Sequence, residues 1–149
     1  MNYEIVNLEE KIITGISTRT NNGDKEMCSK IGALWGKFFG EGIYESIENK
    51  VNDKCIGLYT NYEGDFNNDY DVVICTEVSK ENPNFENRII PAGKYAKFVL
   101  KGNRNIIVGE FWKQLWGMHL PRKYSGDFEE YQPGDSIENS EVHVYISLL

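Results

Sequence analysis

The sequence is short of basic charge, of histidine and of paired cysteine, and each shortage removes a class of function. Sixteen Lys and Arg stand against 23 Asp and Glu, a net charge of −7. No basic cluster offers the footprint that nucleic-acid binders need, so direct contact with DNA or RNA is not expected. The two histidines, His119 and His143, lack carboxylate or thiol partners at ligand spacing, so neither a metal nor another cofactor is expected. Cys28, Cys55 and Cys75 are odd in number and form no Cys-x-x-Cys pair, which suits reduced thiols in a cytoplasmic setting. No apolar run approaches the ~18 residues of a membrane span, and the N-terminus has no basic-then-apolar leader. Nucleophile-elbow and phosphate-loop motifs are also missing; Gly36-Lys37 is followed by Phe38 rather than Ser or Thr. Asp65, Asn67 and Asp69 imitate the opening of a calcium loop, but Tyr70 and Thr76 stand where that loop needs Gly and Glu.

What the chain does have is rings: nine Tyr, seven Phe and three Trp in 149 residues. That is more aromatic surface than one small core requires, and it points to a lined cavity. Lys11–Thr20 alternates β-branched residues as a strand, and Tyr3–Val6 is a shorter one. Asn21 to Asp24 forms a turn and cap before a helix over about 25–38, whose Met27, Ile31, Leu34, Trp35 and Phe38 fall at helical spacing. Gly40 and Gly42 end it, and 43–47 adds a short helical turn. Cys55–Tyr62 and Tyr70–Val78 are strands joined by a polar hairpin loop. After Asn82-Pro83-Asn84 the order repeats. Pro91 and Gly93 mark a turn, Lys94–Leu100 is a strand, and Asn103 or Asn105 caps a helix over about 105–117. Strands follow at Asp127–Tyr131 and Glu141–Leu148, joined by the Gln132-Pro-Gly-Asp135 turn. Leu34-Trp35-Gly36 and Leu115-Trp116-Gly117 mark the two helices as related. The expected fold is α+β: one domain of two β-α-β-β units, half one about 1–82 and half two about 83–149, related by a pseudo-two-fold, with two helices packed on a curved antiparallel sheet.

The candidate functional group is a carboxylate in Asp127-Phe-Glu-Glu-Tyr131. Period two puts Asp127, Glu129 and Tyr131 on one face and Phe128 with Glu130 on the other. One of the two glutamates points inward if that sheet face is covered, and which one stays open at this point. The last strand similarly separates Val142, Val144 and Ile146 from Glu141, His143 and Tyr145. A carboxylate buried among rings demands a cation or a proton.

These motifs resemble the GyrI-like small-molecule-binding family, the effector-binding domain of AraC- and MerR-type multidrug-sensing transcription regulators. The likeness lies in Ile31-Gly-Ala-Leu-Trp35, Gly57-Leu-Tyr59, Ile90-Pro-Ala-Gly-Lys-Tyr95, Trp112 with Trp116, Phe128-Glu-Glu-Tyr131 and Val144-Tyr-Ile-Ser-Leu148, and it spans essentially the whole chain. The resemblance implies a duplicated strand–helix–strand–strand fold with a pocket between the halves, where an inward glutamate meets hydrophobic cations. Carried over by motif, that glutamate is Glu129, with Tyr145, Tyr59, Trp116, Trp35, Trp112 and His143 as further ligand-binding residues. Ser147 departs from the proline usual there. The first strand begins almost at Met1, so a stand-alone domain is expected, regulating through a separate protein partner if it regulates transcription at all.

The implied function is binding of amphipathic, typically cationic small molecules in an aromatic pocket, with no nucleic acid and no membrane as partner. An alternative is a hydrolase of electrophilic small molecules using Glu129 as base with Tyr145. A second alternative is a protein-interaction module of the topoisomerase-inhibitor type.

Overall fold

In the computed structural model, residues 1–64, 68–134 and 136–149 are described. Strands β1 (Glu4–Leu8) and β2 (Lys11–Thr20) lead into helix α1 (Met27–Gly40) and the short α2 (Ile43–Ser46). Strands β3 (Cys55–Thr60), β4 (Tyr70–Val78), β5 (Glu86–Ile90) and β6 (Gly93–Gly102) follow, then helix α3 (Arg104–Trp116), β7 (Asp127–Tyr131) and β8 (Ser140–Ser147). All eight strands form one antiparallel, curved and unclosed sheet in the order β1-β6-β8-β7-β3-β4-β2-β5.

That order reads as two related units meeting at the centre. Strands β2, β3 and β4 with α1 correspond to β6, β7 and β8 with α3, and the β3–β7 pair joins them. The fold is the expected α+β duplication, with one addition. Each unit begins with an extra strand that crosses to the other: β1 precedes β2 but pairs with β6, and β5 precedes β6 but pairs with β2. Strand β5 lies where the sequence suggested only a connection between halves. Glu86-Asn-Arg-Ile-Ile does not alternate, because its charges are held within the sheet: Arg88 Nη1 donates to Asp71 at 2.6 Å and Arg19 joins from the neighbouring strand at 2.9 Å.

Both helices cover the same sheet face. Leu34 and Phe38 of α1 pack with Val72 and Ile74, while Phe111 and Leu115 of α3 pack with Phe98, Val144 and Ile146. Helix α1 thus sits over β2 and β4, and α3 over β6 and β8, leaving β3 and β7 as the floor of a groove between them. The buried pairs set the true correspondence. Leu34/Phe38 answers Phe111/Leu115, so Trp35 matches Trp112, one helical turn from the match suggested by the Leu-Trp-Gly repeat. Helix α1 also runs past Gly36 to Gly40, whereas α3 stops at Gly117, so the motif ends only the second helix. Asn103 is the cap of α3, its side chain accepting from Asn105 N at 3.0 Å.

The opposite face has a core of its own, in which Leu58, Val73, Phe128 and Tyr145 meet Ile90 from one end of the sheet and Tyr95 from the other. Asp65 and Asn67 of the calcium-loop imitation, and Asp135 of the last expected turn, lie outside the described residues. No helix among the described residues is long and apolar enough to cross a membrane.

Candidate functional site

Glu129 occupies the floor of the groove. Antiparallel register places it directly opposite Gly57 of β3 and Val144 of β8, and residues so paired share a face. Val144 packs under α3, so Glu129 points toward the helices. Glu130 is also buried but takes the other face, where Lys54 Nζ lies 3.3 Å away and Gln132 donates at 2.9 Å. Neither glutamate reaches bulk solvent, and the inward one is Glu129.

The Glu129 carboxylate is 2% exposed and accepts three hydrogen bonds, none from a cation. Tyr59 Oη donates to Oε2 at 2.8 Å, the Trp112 indole N–H to the same oxygen at 2.6 Å, and Tyr131 Oη to Oε1 at 2.6 Å. Burial raises its pKa above the usual carboxylate value, and the bonds from Tyr131, Trp112 and Tyr59 offset only part of that rise. Burial first, and then the carboxylate's charge, push both the Tyr59 and Tyr131 hydroxyls well above their ordinary value. The protons therefore stay on the tyrosines, which serve as donors.

The ring cage opens into a cavity of about 210 Å³ between the start of α1 and the end of α3. Tyr59, Tyr62, Tyr70, Trp112 and Trp116 contribute rings, with Met27 and Ile31 from α1 completing an almost wholly apolar lining. Tyr59 packs edge-on against Trp112 at 5.1 Å, so the two side chains that hold the carboxylate also form the cavity wall. Arg122 lines this cavity too, but its guanidinium is engaged: Nη2 donates at 2.6 Å to the fully buried Asp127, which also accepts from Tyr62 Oη at 2.8 Å.

Of the residues singled out from the sequence, Tyr59, Trp112 and Trp116 line this cavity, while Trp35 lines a second one at the other end of the groove. Tyr145 and His143 are placed elsewhere. Tyr145 pairs with Phe128, stacks on its ring at 4.6 Å and faces the opposite core, so it forms no pair with Glu129. His143 pairs with Glu130 on that same face, 2.7 Å from Glu141. Strand β8 places its even-numbered residues with Glu129, because Val144, not Tyr145, is the partner in register. Tyr131, Tyr62 and Tyr70 were not singled out. Tyr131 shares strand parity with Glu129 and was accessible to that argument; Tyr70 reaches the same face through the β3–β4 register, in which Tyr59 pairs with Val72, and Tyr62 lies just past the end of β3.

The whole chain, residues 1–149, matches the GyrI-like small molecule binding domain. Comparison with curated proteins gives no match. Among solved structures, an integron cassette protein from the mobile metagenome of Vibrio cholerae is 30% identical, with a TM-score of 0.78 over 99% of this chain and 95% of that one. SAV2435, solved bound to tetraphenylphosphonium, is 18% identical, with a TM-score of 0.81 over 98% of this chain and 93% of that one. The EcmrR C-terminal domain is 17% identical, with a TM-score of 0.59 and full coverage of both chains. The chain belongs to the GyrI-like small-molecule-binding family.

Proposed function

We propose that the protein is an effector-binding domain that takes amphipathic cations into the cavity walled by Tyr59, Tyr62, Tyr70, Trp112 and Trp116, with Glu129 as the neutralising charge. The observation that carries this reading is the company Glu129 keeps. A carboxylate held away from water by three neutral donors, with no ion-pair partner among the described residues, is an unspent negative charge behind a wall of rings. Ring faces attract cations by about 0.5–2 kcal/mol each, more as water is excluded. Entry of a cation would require Tyr59 or Trp112 to swing off the carboxylate, exchanging a neutral donor for a full charge. That SAV2435, of the same fold, was solved with tetraphenylphosphonium supports this ligand class. The solved complex of EcmrR with DNA supports a place for such domains in DNA-binding regulators.

The test is a calorimetric titration of tetraphenylphosphonium into the wild-type protein and Glu129→Gln. The amide keeps the fold, since its oxygen can accept from Tyr59 and Trp112 while its NH₂ donates to the Tyr131 hydroxyl, which accepts as readily as it donates. Affinity is expected to fall by about tenfold or more, a loss of roughly 1.4 kcal/mol. Equal affinity in the two proteins would remove Glu129 from the function.

A further inference from the structure

The groove has two ends, and the duplication furnishes both. On α3, Gly109, Trp112 and Trp116 line the first cavity; on α1, Gly32, Trp35 and Phe39 line the second at the same spacing. The central strands follow suit, Tyr59 of β3 walling the first cavity and Tyr131 of β7 the second. The second cavity is the larger, about 510 Å³, within the range of sites for small organic molecules. Its rings are ordered: Trp35 stacks on Phe39 at 6.0 Å and 11° and meets Tyr131 edge-on at 5.2 Å.

The two ends differ where the helices begin. At the first, α1 contributes Met27 and Cys28; at the second, the corresponding start of α3 contributes Arg104 and Asn105, and Asp53 stands on the rim ahead of β3. Arg104 and Asp53 make no ion pair with each other or with another described residue. Gln132 adds an amide. An aromatic slot bordered by a cation and an anion, neither ion-paired with a described residue, suits a ligand that carries both charges better than one that carries a single positive charge.

We propose that this second cavity is a separate ligand site for aromatic zwitterions, the ring held by Trp35, Phe39 and Tyr131, the ligand's carboxylate by Arg104 and its ammonium group by Asp53. It goes beyond the reading of the first cavity and does not need that reading to hold. The ends remain connected, because Tyr131 bonds one oxygen of the Glu129 carboxylate while Tyr59 and Trp112 bond the other.

Calorimetry with three indoles tests it: L-tryptophan carries both charges, indole-3-acetate only the negative one and tryptamine only the positive one. L-Tryptophan is expected to bind with one-to-one stoichiometry and more tightly than either singly charged compound, including in protein saturated with tetraphenylphosphonium. Arg104→Gln and Asp53→Asn alter exposed side chains and should leave the thermal melt unchanged. Each should weaken L-tryptophan by about tenfold while sparing tetraphenylphosphonium. The proposal is overturned by no saturable L-tryptophan binding at millimolar concentration, by unchanged affinity in both variants, or by displacement of one ligand by the other. Protein that takes L-tryptophan but not tetraphenylphosphonium would keep this site and lose the first; the reverse would lose this site alone.

Discussion

Gly57 and Glu129 face each other across the β3–β7 pair, and a Cβ built on Gly57 would lie 3.1 Å from Glu129 Oε1 and 3.7 Å from the Trp35 ring. The register is consistent with an approximate two-fold axis through this pair, so Gly57 is the counterpart of Glu129 in the other half. Two glutamates here would place like charges against one another, and even a Cβ at 57 would press on the carboxylate, which would have to give by a few tenths of an ångström. The two halves differ here by glycine against glutamate, so only one of the two paired positions carries a carboxylate. Gly57→Ala should therefore cost about 1–3 kcal/mol of stability by overpacking and weaken tetraphenylphosphonium binding. Urea denaturation and the same titration would check both, and an alanine tolerated without change in either would show that the close approach is immaterial.

The raised pKa of Glu129 makes stability depend on pH in a stated direction. A carboxyl group whose folded pKa exceeds its unfolded one contributes stability that is fully present below the unfolded value and is lost as pH rises through the folded value. Above that folded value the ionised, buried group thus opposes folding. Glu129→Gln, which cannot ionise, should melt at or above the wild-type temperature at pH 7.5, with the difference shrinking as pH falls through the raised folded value and levelling off below the usual carboxylate pKa near 4. A variant clearly less stable at neutral pH would mean that the three hydrogen bonds outweigh desolvation.

The donors can be separated from the rings. Tyr131→Phe and Tyr59→Phe each keep the aromatic wall but remove a bond that lowers the Glu129 pKa. In both variants the pH below which cation affinity declines should move upward, because protonated Glu129 no longer neutralises the ligand. Tyr145→Phe should leave that profile untouched, since its ring stacks on Phe128 in the other core. A profile that shifts for Tyr145→Phe but not for the other two would reverse the assignment.

The fold was legible because its signals are local. Alternation in Lys11–Thr20, helical spacing from Met27 to Phe38 and the second strand–helix–strand series all rest on residues close in sequence. What stayed hidden depends on register between distant strands. Parity alone placed Glu129 with Tyr131, but not with Tyr59, whose position follows from Gly57 pairing with Glu129. Parity on the last strand could not say whether Val144 or Tyr145 stands beside Glu129; one step of register decides it. Strand β5 escaped notice for a similar reason, since Arg88 is a strand residue only by virtue of Asp71, which lies on another strand.

Register also explains the one departure from the family's closing motif. Ser147 donates its backbone N–H at 2.8 Å and its hydroxyl at 3.0 Å to Asp127 Oδ1, while Arg122 and Tyr62 serve Oδ2. Asp127 is wholly buried, so both oxygens need partners, and a proline at 147 would remove both donors to one of them. Ser147→Pro should cost about 2–4 kcal/mol, in line with stranding a buried charged acceptor. Ser147→Ala, which keeps the backbone donor, should cost about 1 kcal/mol. Because Asp127 positions Arg122 and Tyr62, and both line the first cavity, the proline variant should also lose tetraphenylphosphonium affinity while the alanine variant retains most of it. If denaturation curves rank the two variants equally, the backbone donor contributes nothing and Asp127 is held by Arg122 and Tyr62 alone.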